Sequence, residues 1–272
     1  MKYALIAGGS KGIGFAIAHA LAKRGYNLIL IGRHIDKLKE AKSFFELNFS
    51  IIVHPLPVDL SKEGSAEEIR DFCVTNDLAV EMLCNVAGLG GANDYLSLPV
   101  PEIRNMIHLN LESQVSLTYE MLSVSKNNKL AYILNVASLA GFAPIPVKNM
   151  YSATKSAVIF FSRALRSQLK KRNISVSCLC PGPVFTKPEI ERDTKEKLGW
   201  LGKQMAVDPA IVGEVAIRNT FRRKFIIIPG IQSKFVAFFV RALPVGFLVF
   251  IYEQMIERSD RSIPKHKNQV TP

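Results

Sequence analysis

A tyrosine and a lysine four residues apart are the pair in this sequence most suited to chemistry. Tyr151 and Lys155 would project from one face of a helix, one turn apart. An ammonium beside a phenol favours the phenolate and should lower the tyrosine pKa from about 10. Ser138, thirteen residues before the tyrosine, could hold the oxygen that gains or loses the proton. The three residues suit interconversion of a carbonyl and an alcohol, although a Tyr/Lys pair alone is more often a solvated surface pair.

A glycine-rich turn near the N-terminus suggests a second element of such a site. Gly8, Gly12 and Gly14 follow the apolar run 3–7 and precede a helix-like stretch over residues 15–24. Glycines let the backbone approach a phosphate closely, and N–H groups at a helix N-terminus face the anion. The spacing Gly-x3-Gly-x-Gly differs from the common fingerprint G-x-G-x-x-G. As a bare pattern it also suits an ordinary tight turn.

Taken together, these residues resemble the short-chain dehydrogenase/reductases, whose glycine motif has this spacing. Further motifs of that family are matched in order over about residues 1–230. One departure is Ala7, where the family usually has threonine. The matching segments are Val58-Asp59-Leu60, Asn85-Val86-Ala87-Gly88, Asn135 to Gly141 around Ser138, and Pro181 to Thr186.

The resemblance implies an α/β fold with a three-layer, Rossmann-like, doubly wound parallel sheet in a single domain. It implies a catalytic domain over residues 1–230, followed by an apolar extension over 231–257 and a polar tail over 258–272. The implied catalytic residues are Asn110, Ser138, Tyr151 and Lys155. The predicted cofactor-binding set combines residues that the resemblance implies with two cations, Lys11 and Arg33. The set is Gly8, Ser10, Lys11, Gly12, Ile13, Gly14, Arg33, Asp59, Asn85, Ala87, Gly88, Tyr151, Lys155, Pro181, Gly182, Val184 and Thr186.

The resemblance also implies individual roles for two of these residues. Lys155 would bind the nicotinamide ribose in addition to acting on the tyrosine. Asn110 would hold a water that connects Lys155 to solvent. Without the resemblance, Asn110 is better interpreted as a helix-interior amide bonded to backbone.

Strands alternate with helices along the chain, as expected for a parallel sheet with right-handed crossovers. Helical stretches include 15–24, 61–76, 102–125 and 151–172. Ligands bind beyond the carboxyl ends of such strands, and four of the motifs lie there: residues 8–14, 85–88, Ser138 and 181–186. The apolar runs predicted to be strands are 3–7, 28–31, 51–53, 82–86, 131–136, 174–180 and 225–228.

The residues after the second predicted strand favour NADP(H) over NAD(H). Arg33 stands where an acidic residue would bind a ribose 2′-hydroxyl, and an arginine there accommodates a 2′-phosphate. Lys11 could add a second positive charge. The alternative is that Arg33 is a plain surface residue and that Asp36 caps the next helix.

The residues expected to wall the substrate pocket are apolar, and no arginine or lysine stands out as a carboxylate clamp. They favour an apolar ketone or alcohol of long-chain acyl, sphingoid or steroid-like type, unless they are merely core. An alternative function is a catalytically weak NADP(H)-binding or membrane-attached interaction protein. The expected wall residues are Leu89, Tyr95, Leu139, Phe142, Pro144, Met150, Trp200, Leu201 and Met205.

The C-terminal extension contains 17 residues, 235–251, in which Arg241 is the only charge. Pro244 and Gly246 interrupt it, and a spanning helix needs about 20 apolar residues. Basic residues flank the run on both sides. Two helices lying in a membrane interface would explain these features. A lid over the substrate pocket and a subunit contact are equally open alternatives.

Charge and cysteine content limit the partners. The formal net charge of +12 suits anionic lipid or cofactor phosphates, and nucleic acid is not expected because no known motif accompanies the basic residues. The family resemblance suggests a homodimer or homotetramer through helices 102–125 and 151–172. No metal-ligand spacing occurs. Buried free thiols predict a reducing, cytoplasmic setting with a membrane surface as the open alternative; the cysteines are Cys73, Cys84, Cys178 and Cys180.

Overall fold

The computed structural model describes residues 1–90, 95–124, 130–184 and 206–262. The described strands form one sheet in the order β3-β2-β1-β4-β5-β6-β7, and each neighbouring pair is parallel. This confirms the predicted Rossmann-like, doubly wound α/β fold. The strands are β1 Tyr3–Ala7, β2 Asn27–Gly32, β3 Val53–Pro57, β4 Val80–Asn85, β5 Tyr132–Val136, β6 Ser175–Leu179 and β7 Ile226–Ile227.

Helices cover both faces of the sheet. A π-helical turn, His108–Glu112, joins α4 to α5, and a 3₁₀ turn, Leu139–Phe142, follows β5. The α-helices are α1 Gly12–Ala22, α2 Ile35–Asn48, α3 Ser65–Thr75, α4 Val100–Ile107, α5 Ser113–Ser123, α6 Asn149–Gln168, α7 Pro209–Phe221, α8 Ile231–Ala242 and α9 Val245–Ser262.

Alternate residues of the central strands enter different apolar layers, because successive side chains of a strand point to opposite faces. Ile6 of β1 packs in the layer that includes α1, α2 and α7. Leu5 of the same strand packs in the layer that includes α3 and α5. Burial on both faces explains why these strands are continuous apolar runs. The sheet is therefore rigid at the carboxyl ends, where the candidate motifs lie.

Several local predictions were wrong in detail. The third strand was predicted at 51–53 but lies at Val53–Pro57, because Pro55 and Pro57 lack an N–H and disguise it. Such a strand is tolerated here because β3 is at the edge of the sheet. Asp36 does not cap α2: it lies in the first turn, and His34 precedes the helix.

The predicted helix over 102–125 consists of α4, the π turn and α5. The C-terminal extension forms two helices, α8 and α9, which are separated at Leu243 and Pro244. Across the described part of the chain, no helix is both long enough and apolar enough to cross a membrane.

Candidate active site

The glycine turn after β1 forms a close-fitting backbone cradle. The N–H groups of Gly8 and Gly9 donate to the carbonyl oxygen of Ile31 at 2.8 and 3.2 Å. Gly8 and Gly12 have positive φ values of 88° and 57°, which favour glycine. A Cβ at Gly14 would overlap the carbonyl oxygen of Gly8. The turn therefore needs glycine for shape, and it leads directly into the N-terminus of α1.

The first N–H groups of α1 receive no side-chain cap from Lys11, the residue that precedes the helix. Those groups and the positive end of the helix dipole can accept an anion. Lys11 is exposed, and Ile13 and Gly14 are in the first turn. Such a cradle fits the pyrophosphate of a dinucleotide cofactor.

The ends of β2 and β3 contribute the polar residues expected on the adenine side. Arg33 is exposed directly after β2, and Ser10 Oγ is 3.5 Å from where a Cβ of Gly32 would stand. The Asp59 carboxylate accepts hydrogen bonds from the N–H and hydroxyl of Ser61 at 3.1 and 2.8 Å. Burial opposes ionisation of Asp59, but the Ser61 hydrogen bonds and the Arg33 charge outweigh it and lower its pKa. Asp59 therefore stays ionised close to Arg33.

The loop after β4 is bonded to the end of β1. The N–H groups of Val86 and Ala87 both donate to the carbonyl oxygen of Ala7, at 3.1 and 2.8 Å. Gly8 also lies against this loop, since a Cβ there would be 3.0 Å from the Ala87 nitrogen. Ala87 and Gly88 thus border the glycine turn at the carboxyl end of the sheet. This is the position at which open α/β sheets bind ligands.

Asn85 is buried at the end of β4, with 1% of the residue exposed. Its Nδ2 donates to Asn135 Oδ1 at 2.8 Å and to Thr118 Oγ1 at 2.9 Å. Asn135 in turn donates to Ser162 Oγ at 2.9 Å. This polar chain joins α5, β4, β5 and α6. Sequence reasoning assigned no role to Asn135, Thr118 or Ser162, although an asparagine within a buried strand is an indication of such a network.

Asn110 lies within the π-helical turn and is fully buried. Its Oδ1 accepts from the N–H of Leu89 at 2.7 Å, and its Nδ2 donates to the Leu89 carbonyl at 2.9 Å. Nδ2 is also 3.2 Å from Thr154 Oγ1 on α6. Single π turns occur often at functional sites. Here the turn lets Asn110 connect the loop after β4 to the helix that carries Tyr151.

Ser138, Tyr151 and Lys155 meet where the turn after β5 packs on α6. The hydroxyls of Ser138 and Tyr151 are hydrogen-bonded, and Ser138 Oγ also accepts from the N–H of Ala140 at 3.2 Å. A Cβ at Gly141 would be 2.8 Å from the carbonyl atoms of Lys155, so only glycine allows this approach. The Lys155 Nζ donates to the Val136 carbonyl at 3.0 Å. All three side chains therefore share one corner of the cleft.

Gly88 brings the fourth residue to the same corner. A Cβ built there would be 3.0 Å from Asn110 Oδ1 and 3.2 Å from Lys155 Nζ. The structure thus brings Asn110, Ser138, Tyr151 and Lys155 together around the loop after β4.

Burial sets the protonation of the two central groups. It lowers the pKa of Lys155 to about 8. It raises the pKa of Tyr151, and the Ser138 hydrogen bond offsets this only in part. The expectation that Lys155 lowers the pKa of Tyr151 was wrong, because the pKa of Tyr151 is raised. The reason is geometric: Lys155 Nζ is 5.9 Å from the centre of the Tyr151 ring and is directed to Val136.

The loop after β6 closes the far side of the cleft. The Leu139 N–H donates to the Pro181 carbonyl at 3.0 Å, and a Cβ at Gly182 would be 2.6 Å from Ser233 Oγ on α8. Val184 is buried in the core layer that includes α1. The predicted cofactor residue Thr186 and the predicted wall residues Trp200, Leu201 and Met205 lie outside the described residues.

The described wall residues near Ser138 are apolar and partly exposed. Leu139 and Phe142 are half-buried, and Pro144 is exposed. The Arg241 guanidinium is 5.5 Å from the centre of the Phe142 ring. Leu89 is half-buried and Tyr95 is 48% exposed on the opposite loop. These side chains offer apolar surface on the turn after β5 and on the loop after β4.

The cysteines are free and buried, as predicted. Cys178 lies in β6 and Cys180 directly follows it, and their sulfur atoms are 3.9 Å apart. Within the residues described, no cluster of three or more His, Cys, Asp or Glu side chains could hold a metal ion.

Comparisons with known proteins agree with this geometry. The profile of the family described as short chain dehydrogenase matches residues 2–197. Very-long-chain 3-oxoacyl-CoA reductase of Rattus norvegicus is 32% identical over 201 residues, which cover 72% of this chain and 64% of that protein. The 17-beta-hydroxysteroid dehydrogenase type 3 of Homo sapiens is 32% identical over 187 residues, which cover 68% of this chain and 60% of that protein.

Among solved structures, the short-chain dehydrogenase from Sphingobium yanoikuyae in complex with NADPH is similar in fold. Its TM-score is 0.75 at 22% identity, and the match covers 98% of both chains.

Proposed function

The chain belongs to the short-chain dehydrogenase family, and from this premise we propose that it is an NADPH-dependent oxidoreductase that interconverts an apolar ketone and a secondary alcohol. One observation supports the proposal above the others: Ser138, Tyr151 and Lys155 meet at the carboxyl end of β5, with Asn110 behind the adjoining loop. A proton donor, an oxygen-holding hydroxyl and a cation in one cleft are what carbonyl reduction requires.

In the direction of reduction, the Tyr151 phenol donates its proton to the carbonyl oxygen of the substrate. The raised pKa of Tyr151 keeps that phenol protonated at neutral pH. Ser138, hydrogen-bonded to Tyr151, holds the same substrate oxygen. The Lys155 ammonium, held by the Val136 carbonyl, would bind the nicotinamide ribose of the cofactor. Asn110 joins Leu89, in the loop after β4, to Thr154, the residue before Lys155 on α6.

The family uses a nicotinamide dinucleotide, which when bound supplies the hydride to the carbonyl carbon. The glycine turn fits its phosphates, because Gly14 leaves no room for a side chain and the first N–H groups of α1 have no side-chain cap. The exposed cations Arg33 and Lys11 support NADP(H) over NAD(H). No carboxylate follows β2 directly, so the position where an acidic residue would exclude a 2′-phosphate is taken by Arg33.

An apolar substrate is supported by the wall beside Ser138. Leu139 and Phe142 present apolar surface there. The named activities of the two curated relatives, on very-long-chain 3-oxoacyl-CoA and on a 17-beta-hydroxysteroid, have bulky apolar substrates in common. Both alignments cover less than two thirds of the relative's own length. We therefore propose the substrate class, a long-chain or steroid-like ketone, and not either compound.

Self-association is a further part of the proposal. Tyr119 on α5 is 69% exposed, and Phe160 on α6 is 75% exposed. Large aromatic side chains on these two helices support a homodimer or homotetramer through them. Sedimentation of wild type and of a Phe160→Ser variant would measure this directly.

The test of the activity is oxidation of NADPH, followed at the nicotinamide absorbance, over a panel of ketones. The panel contains long-chain 3-oxoacyl thioesters, 3-ketosphinganine-like bases, steroids and small diketones. We expect turnover of one or more apolar ketones and little turnover of the small diketones. Stoichiometric NADPH binding with no oxidation across the panel would instead favour a binding or interaction protein on this fold.

A further inference from the structure

Helix α8 buries small side chains and exposes large apolar ones. The residues that face the protein are small: Ser233 is fully buried and Ala237 is 2% exposed. The residues that face outward are large and apolar: Phe235, Phe238 and Phe239 are 63%, 67% and 58% exposed. Positions 235, 238 and 239 lie on one side of a helix. A helix packed in an ordinary core would have the opposite arrangement.

Helix α9 continues the pattern. Leu248 is 4% exposed and holds the helix against the protein, whereas Val245, Phe247 and Phe250 are 62%, 50% and 54% exposed. We call Phe235, Phe238, Phe239, Phe247 and Phe250 the aromatic face. Large exposed apolar patches on soluble proteins mark interaction sites.

Basic residues predominate among the charges on the helices of the aromatic face. Within residues 231–254 the cations are Lys234 and Arg241, and the one carboxylate is Glu253. Lys234 and Arg241 are exposed on α8 itself. A second copy docked through α8 would bring Lys234 and Arg241 towards the same cations of its partner, and α8 itself carries no carboxylate. An anionic lipid surface complements both the aromatic side chains and the cations.

The two helices border the substrate side of the cleft. Ser233 on α8 packs against Gly182, in the loop after β6. Arg241 lies over Phe142, in the turn that begins next to Ser138. Helix α9 contacts the next turn, Pro146–Lys148, shortly before Tyr151. An apolar compound in the headgroup region would therefore be close to the reacting hydroxyls.

We propose that α8 and α9 lie in the interface of an anionic membrane with the aromatic face in the lipid, and that the ketone enters the cleft from the bilayer. Helices that lie in the interface have this pattern of apolar and basic residues. Membrane docking stands independently of the activity, whereas the entry of the ketone rests on the proposed function.

Flotation of the intact protein with vesicles tests the docking. Vesicles of phosphatidylcholine containing phosphatidylglycerol should bind the protein, neutral phosphatidylcholine should bind it less, and salt should weaken binding. Phe238→Ser and Phe239→Ser should each weaken binding about tenfold, since each removes one ring from lipid. Leu47→Ser, at an 87% exposed position on α2, is the matched control and should bind as wild type.

A charge reversal tests the electrostatic part. Lys234→Glu should weaken binding to anionic vesicles about fivefold or more. Lys39→Glu, an exposed lysine on α2, makes the same change in net charge and should have little effect.

Three outcomes would overturn the docking. The first is no binding of wild type to anionic vesicles. The second is binding that the α8 substitutions leave unchanged. The third is a lipid-free oligomer that Phe238→Ser dissociates, which would assign the aromatic face to a second copy. Tyr151→Phe should bind vesicles normally, so loss of activity and loss of docking are separable.

The entry route is tested with two ketones. Phe238→Ser should slow turnover of a vesicle-borne long-chain ketone and leave a water-soluble ketone unaffected. Equal effects on both would contradict entry from the bilayer.

Discussion

The Lys155 ammonium donates a hydrogen bond to the carbonyl oxygen of Val136, the last residue of β5, at 3.0 Å. This bond joins the helix that carries Tyr151 to the strand that leads to Ser138. It also keeps the ammonium in a buried position, and burial lowers the Lys155 pKa to about 8. The buried ammonium therefore has a cost in stability.

That cost can be measured by substitution. The folded pKa of Lys155 is about 8 and its ordinary value is 10.5, so between these values the unfolded chain binds the extra proton. The contribution of Lys155 to the free energy of unfolding is thus least favourable below about pH 8, and it improves as pH rises through this window. Lys155→Met should be more stable than wild type at pH 7 by about 1–3 kcal/mol. The gain should shrink towards pH 10.

Urea unfolding of wild type and Lys155→Met at several pH values gives the difference in their free energies of unfolding. The contributions of the other titrating groups are common to both proteins and cancel in that difference. A wild type that is the more stable protein at pH 7 would contradict the account of Lys155.

The same titration should appear in the rate. The ammonium form of Lys155 is the form proposed to hold the ribose of the cofactor, so kcat/KM for reduction should be level below pH 8 and fall above it. Lys155→Met should show a low kcat/KM without that inflection. If kcat/KM of wild type stays level up to pH 10, the charge of Lys155 has no role in the rate-determining step.

Two neighbouring glycines offer a matched test of the corner where the four residues meet. Gly88→Ala would place a methyl 3.0 Å from Asn110 Oδ1 and 3.2 Å from Lys155 Nζ. Displacing either group by a few tenths of an ångström should lower kcat/KM about tenfold or more. Gly90→Ala meets no described atom within 4 Å and should remain near wild type. If Gly88→Ala and Gly90→Ala are equally active, the catalytic positions of Lys155 and Asn110 do not require a glycine at residue 88.

Much of the fold follows from sequence because its sheet is buried on both faces. Strands β1, β4 and β5 were predicted to within two residues at either end, since each is a continuous apolar run between turn residues. Strand β3 was predicted too early, because its two prolines interrupt the pattern and only its edge position makes them acceptable.

The site was less accessible to sequence reasoning wherever three-dimensional burial decides the outcome. Spacing placed Tyr151 beside Lys155, but it could not show that the lysine points to Val136. Burial then reverses the expected direction of the Tyr151 pKa. The π turn at Asn110 and the pairing of Asn85 with Asn135 depend on contacts between distant segments. No local pattern encodes them.

Cofactor choice can be reversed at one residue. Arg33→Asp should weaken NADPH binding much more than NADH binding, because it removes a phosphate partner and adds a repelling carboxylate. Arg222→Asp is the control. It follows α7, whose last residue packs on Tyr26 and Tyr132 at the amino-terminal edge of the sheet. The dissociation constants of NADPH and NADH, measured for wild type and both variants, test the role of Arg33. A wild type that binds NADH more tightly than NADPH would contradict that role.

The central claim is that Tyr151 is the proton donor in reduction of an apolar ketone. Its most direct test is single-turnover oxidation of NADPH by wild type and by Tyr151→Phe, using the best ketone of the panel, with NADPH affinity measured in parallel. We expect Tyr151→Phe to bind NADPH as wild type does and to react about 10²–10⁴-fold more slowly. A variant that binds NADPH normally and reduces the ketone at the wild-type rate would contradict it.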